Sequence, residues 1–151
     1  VGLEKNFGSL GLFTLIGRHH HSQIIDMERV KFTSEFICRA SPNIVYQFLT
    51  DPACLTRWFC DEVDINDQTY TFVWEGSSEI AELIEDKEGV MVRFAWEDAD
   101  DDDEYLEFDI TKSPVTGETI VNVTDFADDD EVEDQRALWL TQLKRMKGVM
   151  G

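Results

Sequence analysis

Between Arg29 and Ala127 the apolar runs of this chain are mostly short, alternating and closed by turn residues; only the segment from about Asp130 to Lys147 reads as one long helix. There Val132, Trp139, Leu143, Met146 and Met150 recur at intervals of seven, four, three and four, which places them on a single apolar face. Glu131, Glu133 and Asp134 sit in its first turn and Lys144, Arg145 and Lys147 near its end, each bias complementing the helix dipole. A long antiparallel sheet curls and must bury one face, and this helix is the one element long enough to cover it. The fold class that follows is α+β: a curved antiparallel sheet of about seven strands wrapped on a long C-terminal helix.

The strands come from period-two patterns. In "RVKFTSEFICR", Val30, Phe32, Ser34, Phe36 and Cys38 share one face, with Lys31, Thr33, Glu35, Ile37 and Arg39 on the other. "EVDI" and "TYTFVW" are joined by a turn at Asn66-Asp67, while "SSEIAELIE" and "VMVRFAWE" flank Asp86 to Gly89. "EYLEFDITK" and "TIVNVTDFA" flank Ser113 to Glu118, so the middle of the chain is a meander. Parity stays open in the last of these strands. Its inward set is either Ile120, Asn122, Thr124 and Phe126 or Val121, Val123 and Asp125.

After the first strand two helix starts follow in quick succession. Ser41 can cap and Pro42 fits the first helical position, with Ile44, Val45, Phe48 and Leu49 as the apolar stripe. Asp51-Pro52 repeats the signal, and "PACLTRWF" reads as a second short helix set at an angle to the first.

Of 151 residues, 42% are hydrophobic and 11% aromatic, which suits one domain with a real core. The 13 basic against 32 acidic residues give a formal charge of −19, a field that repels phosphate backbones and anionic lipid headgroups. Nucleic-acid binding is therefore disfavoured, and no apolar run is long enough to span a membrane. Cys38, Cys54 and Cys60 make an odd set without a C-x-x-C spacing, so they are read as small buried hydrophobes in a reduced, cytoplasmic setting.

Residues 1–26 have a different texture. Lys5 and Arg18 balance Glu4 and Asp26, so the charge imbalance lies wholly after Met27. The segment is read as an upstream extension outside the fold, with 27–151 as a single domain and "RHHHS" as an incidental run rather than a metal site. All three histidines fall in that extension, which leaves the domain without histidine-based acid–base or metal chemistry.

The order of elements, with "SPNIVYQFLTDPACLTRWF" near the start and "ALWLTQLKRMK" at the end, resembles the START-like or SRPBCC superfamily, and within it the branch related to heat-shock-ATPase activators. That branch carries an A-s-x-x-x-V-[WY]-x-x-[LF]-T-x-P-x-x-L-x-x-W-[FW] signature. It is matched here by Ala40, Ser41, Val45, Tyr46, Leu49, Thr50, Pro52, Leu55, Trp58 and Phe59. The closing helix is similar to the family's W-x-x-x-L-x-x-L-K pattern through Trp139, Leu143 and Lys144, less regularly, and the resemblance runs from about Glu28 to Gly148.

The resemblance implies a helix-grip with an apolar cavity between sheet and last helix. The residues it offers as lining are Trp58, Phe59, Phe72, Trp74, Phe94, Trp96, Phe126 and Trp139, with Leu143 from the helix and Asn122 if its face points inward. The same rings could instead fill the space as core. The expected function is a non-enzymatic domain binding a small hydrophobic ligand. The alternative is a co-chaperone-like or other protein-interaction module whose acidic surface meets a basic partner. No cofactor, metal or catalytic constellation is expected. "EDADDDDE" and "DDDEVED" read as solvated loops, because a calcium loop starting at Asp98 would need Gly at position 103 and Glu at position 109, both of which are Asp. Glu75, Glu79 and Glu82 could supply a carboxylate pair, though so acidic a chain produces such pairs by chance.

Overall fold

The computed structural model describes residues 28–151, so the expectation of an extension over residues 1–26, with the three histidines, falls outside the described residues. The elements run β1 (Arg29–Cys38), α1 (Pro42–Thr50), α2 (Pro52–Leu55), β2 (Glu62–Asn66), β3 (Thr69–Trp74), β4 (Ser77–Lys87), β5 (Met91–Trp96), β6 (Leu106–Lys112), β7 (Thr119–Asp128), a 3-10 turn (Asp129–Glu131) and α3 (Val132–Met150). The strands form one seven-stranded antiparallel sheet in the order β1-β7-β6-β5-β4-β3-β2.

Local chemistry accounts for the wedge between β1 and β2. Ser41 Oγ accepts from the Ile44 amide at 3.3 Å and Asp51 Oδ1 from the Ala53 amide at 2.9 Å, and a proline follows each cap. Asp51 also closes the preceding helix, since its own amide donates to Gln47 O. The second helix is shorter than "PACLTRWF" suggests. It stops at Leu55, whose carbonyl then accepts from the amides of both Phe59 and Cys60 (2.8 and 3.2 Å) as the chain turns. At the far end a 3-10 turn occupies Asp129–Glu131, so α3 begins at Val132 and runs on to Met150.

Two features set the curvature and the seating of α1. A register shift between Leu83 and Glu85 leaves Ile84 unmatched, a bulge that bends β4. At the β4–β5 turn Gly89 holds a positive φ of 73°, where a side chain would meet Asn43 Oδ1 at 2.8 Å. Tyr46 Oη donates to Asp86 Oδ1 at 2.5 Å, fixing α1 to the same turn.

The α3 helix lies along β1. Arg136 donates to Thr33 O and lies over the Phe32 ring, while Lys147, three turns on, lies over Phe36. The buried face of α3 is broader than the apolar spacing implies: Gln135 and Gln142 join Val132, Trp139, Leu143 and Met146.

Register decides the parity of β7. Val121, Val123 and Asp125 stand opposite Ile110 or Phe108 of β6 and Phe36, Ser34 and Phe32 of β1, all facing α3. Asn122 is aligned with Asp109 and Glu35, and Phe126 with Lys31, on the outer face. Asn122 and Phe126 are therefore not cavity residues; Phe126 packs edge-on against Tyr105 at 5.2 Å outside the sheet.

Candidate functional site

The site singled out by sequence is the space between sheet, α1–α2 and α3. Trp58, Phe59, Phe72, Trp74, Phe94 and Trp139 are buried there, Trp96 is partly buried, and Leu143 is fully enclosed. They form one continuous ring cluster. Phe59 is the hub that joins its sheet side to the helices, with centroids 5.2 Å from Trp58, 4.9 Å from Phe72, 5.4 Å from Trp74 and 6.4 Å from Trp139. Phe72 continues to Trp96 at 5.8 Å and Phe94 at 6.1 Å, and Trp139 reaches Phe108 at 5.7 Å.

The indoles are satisfied from within. Trp58 Nε1 donates to Phe48 O (2.8 Å), Trp74 Nε1 to Phe59 O (2.6 Å) and Trp139 Nε1 to Asp125 Oδ2 (2.9 Å). The second of these holds the backbone of Phe59 against β3, so the hub ring is locked from its own main chain. The void among Leu49, Leu55, Trp58, Phe59, Phe72 and their neighbours is only about 10 Å³, no more than room for a single water molecule. The grip is closed on its own aromatic plug.

The thiols are packing groups. Burial pushes Cys60 up to about 12 and also raises Cys38 and Cys54, which disfavours the nucleophilic thiolate. The carboxylates considered as a pair do not converge. Glu79 is buried on the inner face opposite Phe72, Glu82 accepts from Thr69 Oγ1 on the outer face, and Glu75 sits in the β3–β4 turn.

The two acidic runs, distant in sequence, come together. Arg29 makes a bidentate pair with Glu104 (2.7 and 2.9 Å), a further bond to Asp128 (2.9 Å) and a longer contact with Asp100 (3.7 Å). Glu104 and Asp128 are buried, so they are structural ion-pair partners rather than solvated loop residues. Asp129 N donates to Glu28 O beside them. The result is one acidic pole, with Asp101, Asp102, Asp103, Asp129, Asp130, Glu133 and Asp134 around the clamped centre. Among the described residues no group of three or more His, Cys, Asp or Glu side chains has a metal-holding arrangement.

Sequence reasoning missed the clamp and the polar groups on the inner face. Ser34 Oγ and both polar atoms of the Gln142 amide are buried without a hydrogen-bond partner. The spacing of Gln135, Trp139, Gln142 and Met146 at intervals of four, three and four was the available signal for the glutamines.

The profile of the START-like superfamily domain matches residues 26–151. The chain belongs to the START-like superfamily. Members of this superfamily often bind hydrophobic ligands. This START-like domain is similar to the solution structure of BfR322 from Bacteroides fragilis, at 29% identity over 83% of this chain and 93% of that one, with a TM-score of 0.61. It shares its fold with the Aha1 dimer from Colwellia psychrerythraea (17% identity, 80% and 96% coverage, TM-score 0.67). A conserved protein of unknown function from Enterococcus faecalis has the same fold at 19% identity, 93% and 82% coverage and a TM-score of 0.64. No functionally curated protein matches the chain by sequence. Among the described residues no helix is long and apolar enough to cross a membrane.

Proposed function

We propose that this START-like domain is a non-enzymatic protein-interaction module, and that its recognition surface is the acidic pole. The observation that carries this reading is the convergence of the two acidic runs around Arg29 while the interior is filled by Phe59 and its neighbours. A concentrated negative field steers a basic partner and sets orientation more than it sets raw affinity.

The test is fluorescence anisotropy with a labelled Lys/Arg-rich peptide on the full chain. Binding is expected at low ionic strength and is expected to fall steeply with salt. The triple substitution Asp101→Asn, Asp102→Asn, Asp103→Asn should weaken it at least tenfold. A control of equal charge change on the distant edge, Glu62→Gln, Asp64→Asn, Asp67→Asn, should weaken it less than twofold. Equal losses in both variants would reduce the effect to net charge and end the reading.

One observation favours a second reading, a small apolar ligand with a polar head. The Gln142 amide is fully buried under α3 with its hydrogen-bonding capacity unused, an arrangement that costs about 1–3 kcal/mol per unsatisfied group. A ligand that lifted the α1–α2 roof and bonded to this amide would recover that cost. Such a ligand must raise the melting temperature of the wild type and fail to do so with Gln142→Leu. A thermal-shift screen of fatty acids and long-chain alcohols that gives equal responses in both would remove it.

A further inference from the structure

The two free edges of the sheet are built differently. Among the described residues β2 and β1 are its outermost strands. The β2 edge is five residues long, and Glu62 and Asp64 stand on its outer face between Asp61 and Asp67. One sign of charge at alternate positions repels a like edge and blunts it against pairing. The β1 edge is ten residues long, and its outward residues include Lys31, Thr33, Glu35 and Ile37. Both signs are present there, and Ile37 is left 46% exposed.

Backbone direction follows from the ladder with β7. Asp129 N donates to Glu28 O at 2.9 Å, so the even-numbered residues of β1 exchange bonds with β7. The odd-numbered ones point their N–H and C=O groups at the free edge. Arg136 agrees with this parity, because it reaches round from α3 to donate to Thr33 O. Leu140 lies on the same stripe of α3, between Arg136 over Phe32 and Lys147 over Phe36, and is 42% exposed. This flank carries Lys31, Arg136, Lys144 and Lys147 against Glu35 and Glu133, so the chain's excess of negative charge lies elsewhere.

We propose that β1 is a self-pairing edge that joins a second copy of this chain about a two-fold axis at Thr33. Laid antiparallel with Thr33 opposite Thr33, the strands set Lys31 of each copy opposite Glu35 of the other on the outer face. Residues 31, 33 and 35 then form hydrogen-bonded pairs, giving about six interchain backbone bonds. Each copy gives up one bond in return, from Arg136 to Thr33 O. A slip of two residues either way loses both Lys31–Glu35 pairs, which fixes the register. Leu140 flanks the seam on the inner side. The surface is separate from the acidic pole and does not depend on that reading.

Sedimentation equilibrium of the full chain tests it, in about 0.15 M salt, where a Debye length of about 8 Å screens the net charge. A reversible dimer is expected at micromolar to millimolar concentration. Lys31→Glu and Glu35→Lys should each weaken it at least tenfold, although they move the net charge in opposite directions. The double swap should restore it to within about threefold of wild type. Thr33→Pro should abolish the dimer and leave the circular dichroism unchanged, because the amide it removes faces the free edge. A chain still monomeric at millimolar concentration would overturn the proposal. So would a dimer that survives Thr33→Pro, a Glu35→Lys variant that associates more tightly than wild type, or a double swap that restores nothing.

Discussion

The two faces of the sheet solve different problems. Toward α3, large rings fill the space and each buried indole finds an oxygen within the fold. Away from α3, the central strands carry charges that are only half-buried: Arg93 bonds Glu107 at 2.6 Å, approaches Glu85 at 3.5 Å and lies 4.2 Å from the centre of the Tyr105 ring. The inner face is held by volume, where a lost atom leaves a hole. The outer face is held by pairing that water and salt can replace, so each contact there stabilises less.

The sharpest way to break this comparison is to remove the plug. Phe59→Ala should cost about 4 kcal/mol by urea denaturation, the range for a large buried ring. The cavity it opens should accept a small aromatic such as indole, seen as a partial recovery of melting temperature. Recovery absent at saturating indole would mean the roof had collapsed onto the gap.

Next in size is the clamp. Arg29→Ala leaves the buried Glu104 and Asp128 without their cation and should destabilise by about 3 kcal/mol. The same substitution should loosen the 97–104 loop, measurable as faster amide exchange there than in β3. Smaller again is Trp139→Phe, which keeps an aromatic ring but loses part of the indole volume and the hydrogen bond to Asp125, at a cost of about 2 kcal/mol.

On the outer face the expected effects are smaller and one changes sign. Asp109 is pushed up to about 6 by burial and by the neighbouring Glu107 carboxylate. Because the folded value exceeds the ordinary 3.8, the folded state takes up this proton first as pH falls below about 6. The group's contribution is therefore fully favourable below about pH 4 and is lost as pH rises through about 6, above which its charge disfavours the fold. Asp109→Asn should stabilise the protein at pH 7 and flatten its urea midpoint between pH 5 and 7; destabilisation at pH 7 would contradict the assignment. Asn122→Ala, on the same face, should change stability by no more than about 0.5 kcal/mol, whereas an inward Asn122 would have given a larger effect.

Much of this was readable from the chain because it is local. The caps at Ser41 and Asp51, the alternation of β1 and the acidic start of α3 each depend on residues within a few positions of one another. Phe126 and Asn122 were not readable, since β7 carries apolar residues on both faces and periodicity alone does not choose between them. Nor does the sequence mark the end of α2: "TRWF" has helical spacing, but the helix stops at Leu55 and the chain turns there to aim Phe59 into the sheet.

The sequence by itself determined the architecture, because hydrophobic period and turn chemistry act over short stretches and leave one long helix to cover one curling sheet. Only the tertiary structure decided what fills that grip and where the charge gathers. Phe59 meets Trp139 across eighty positions and Arg29 meets Glu104 across seventy-five, and contacts at such separations follow from strand register and helix seating, which no local pattern encodes.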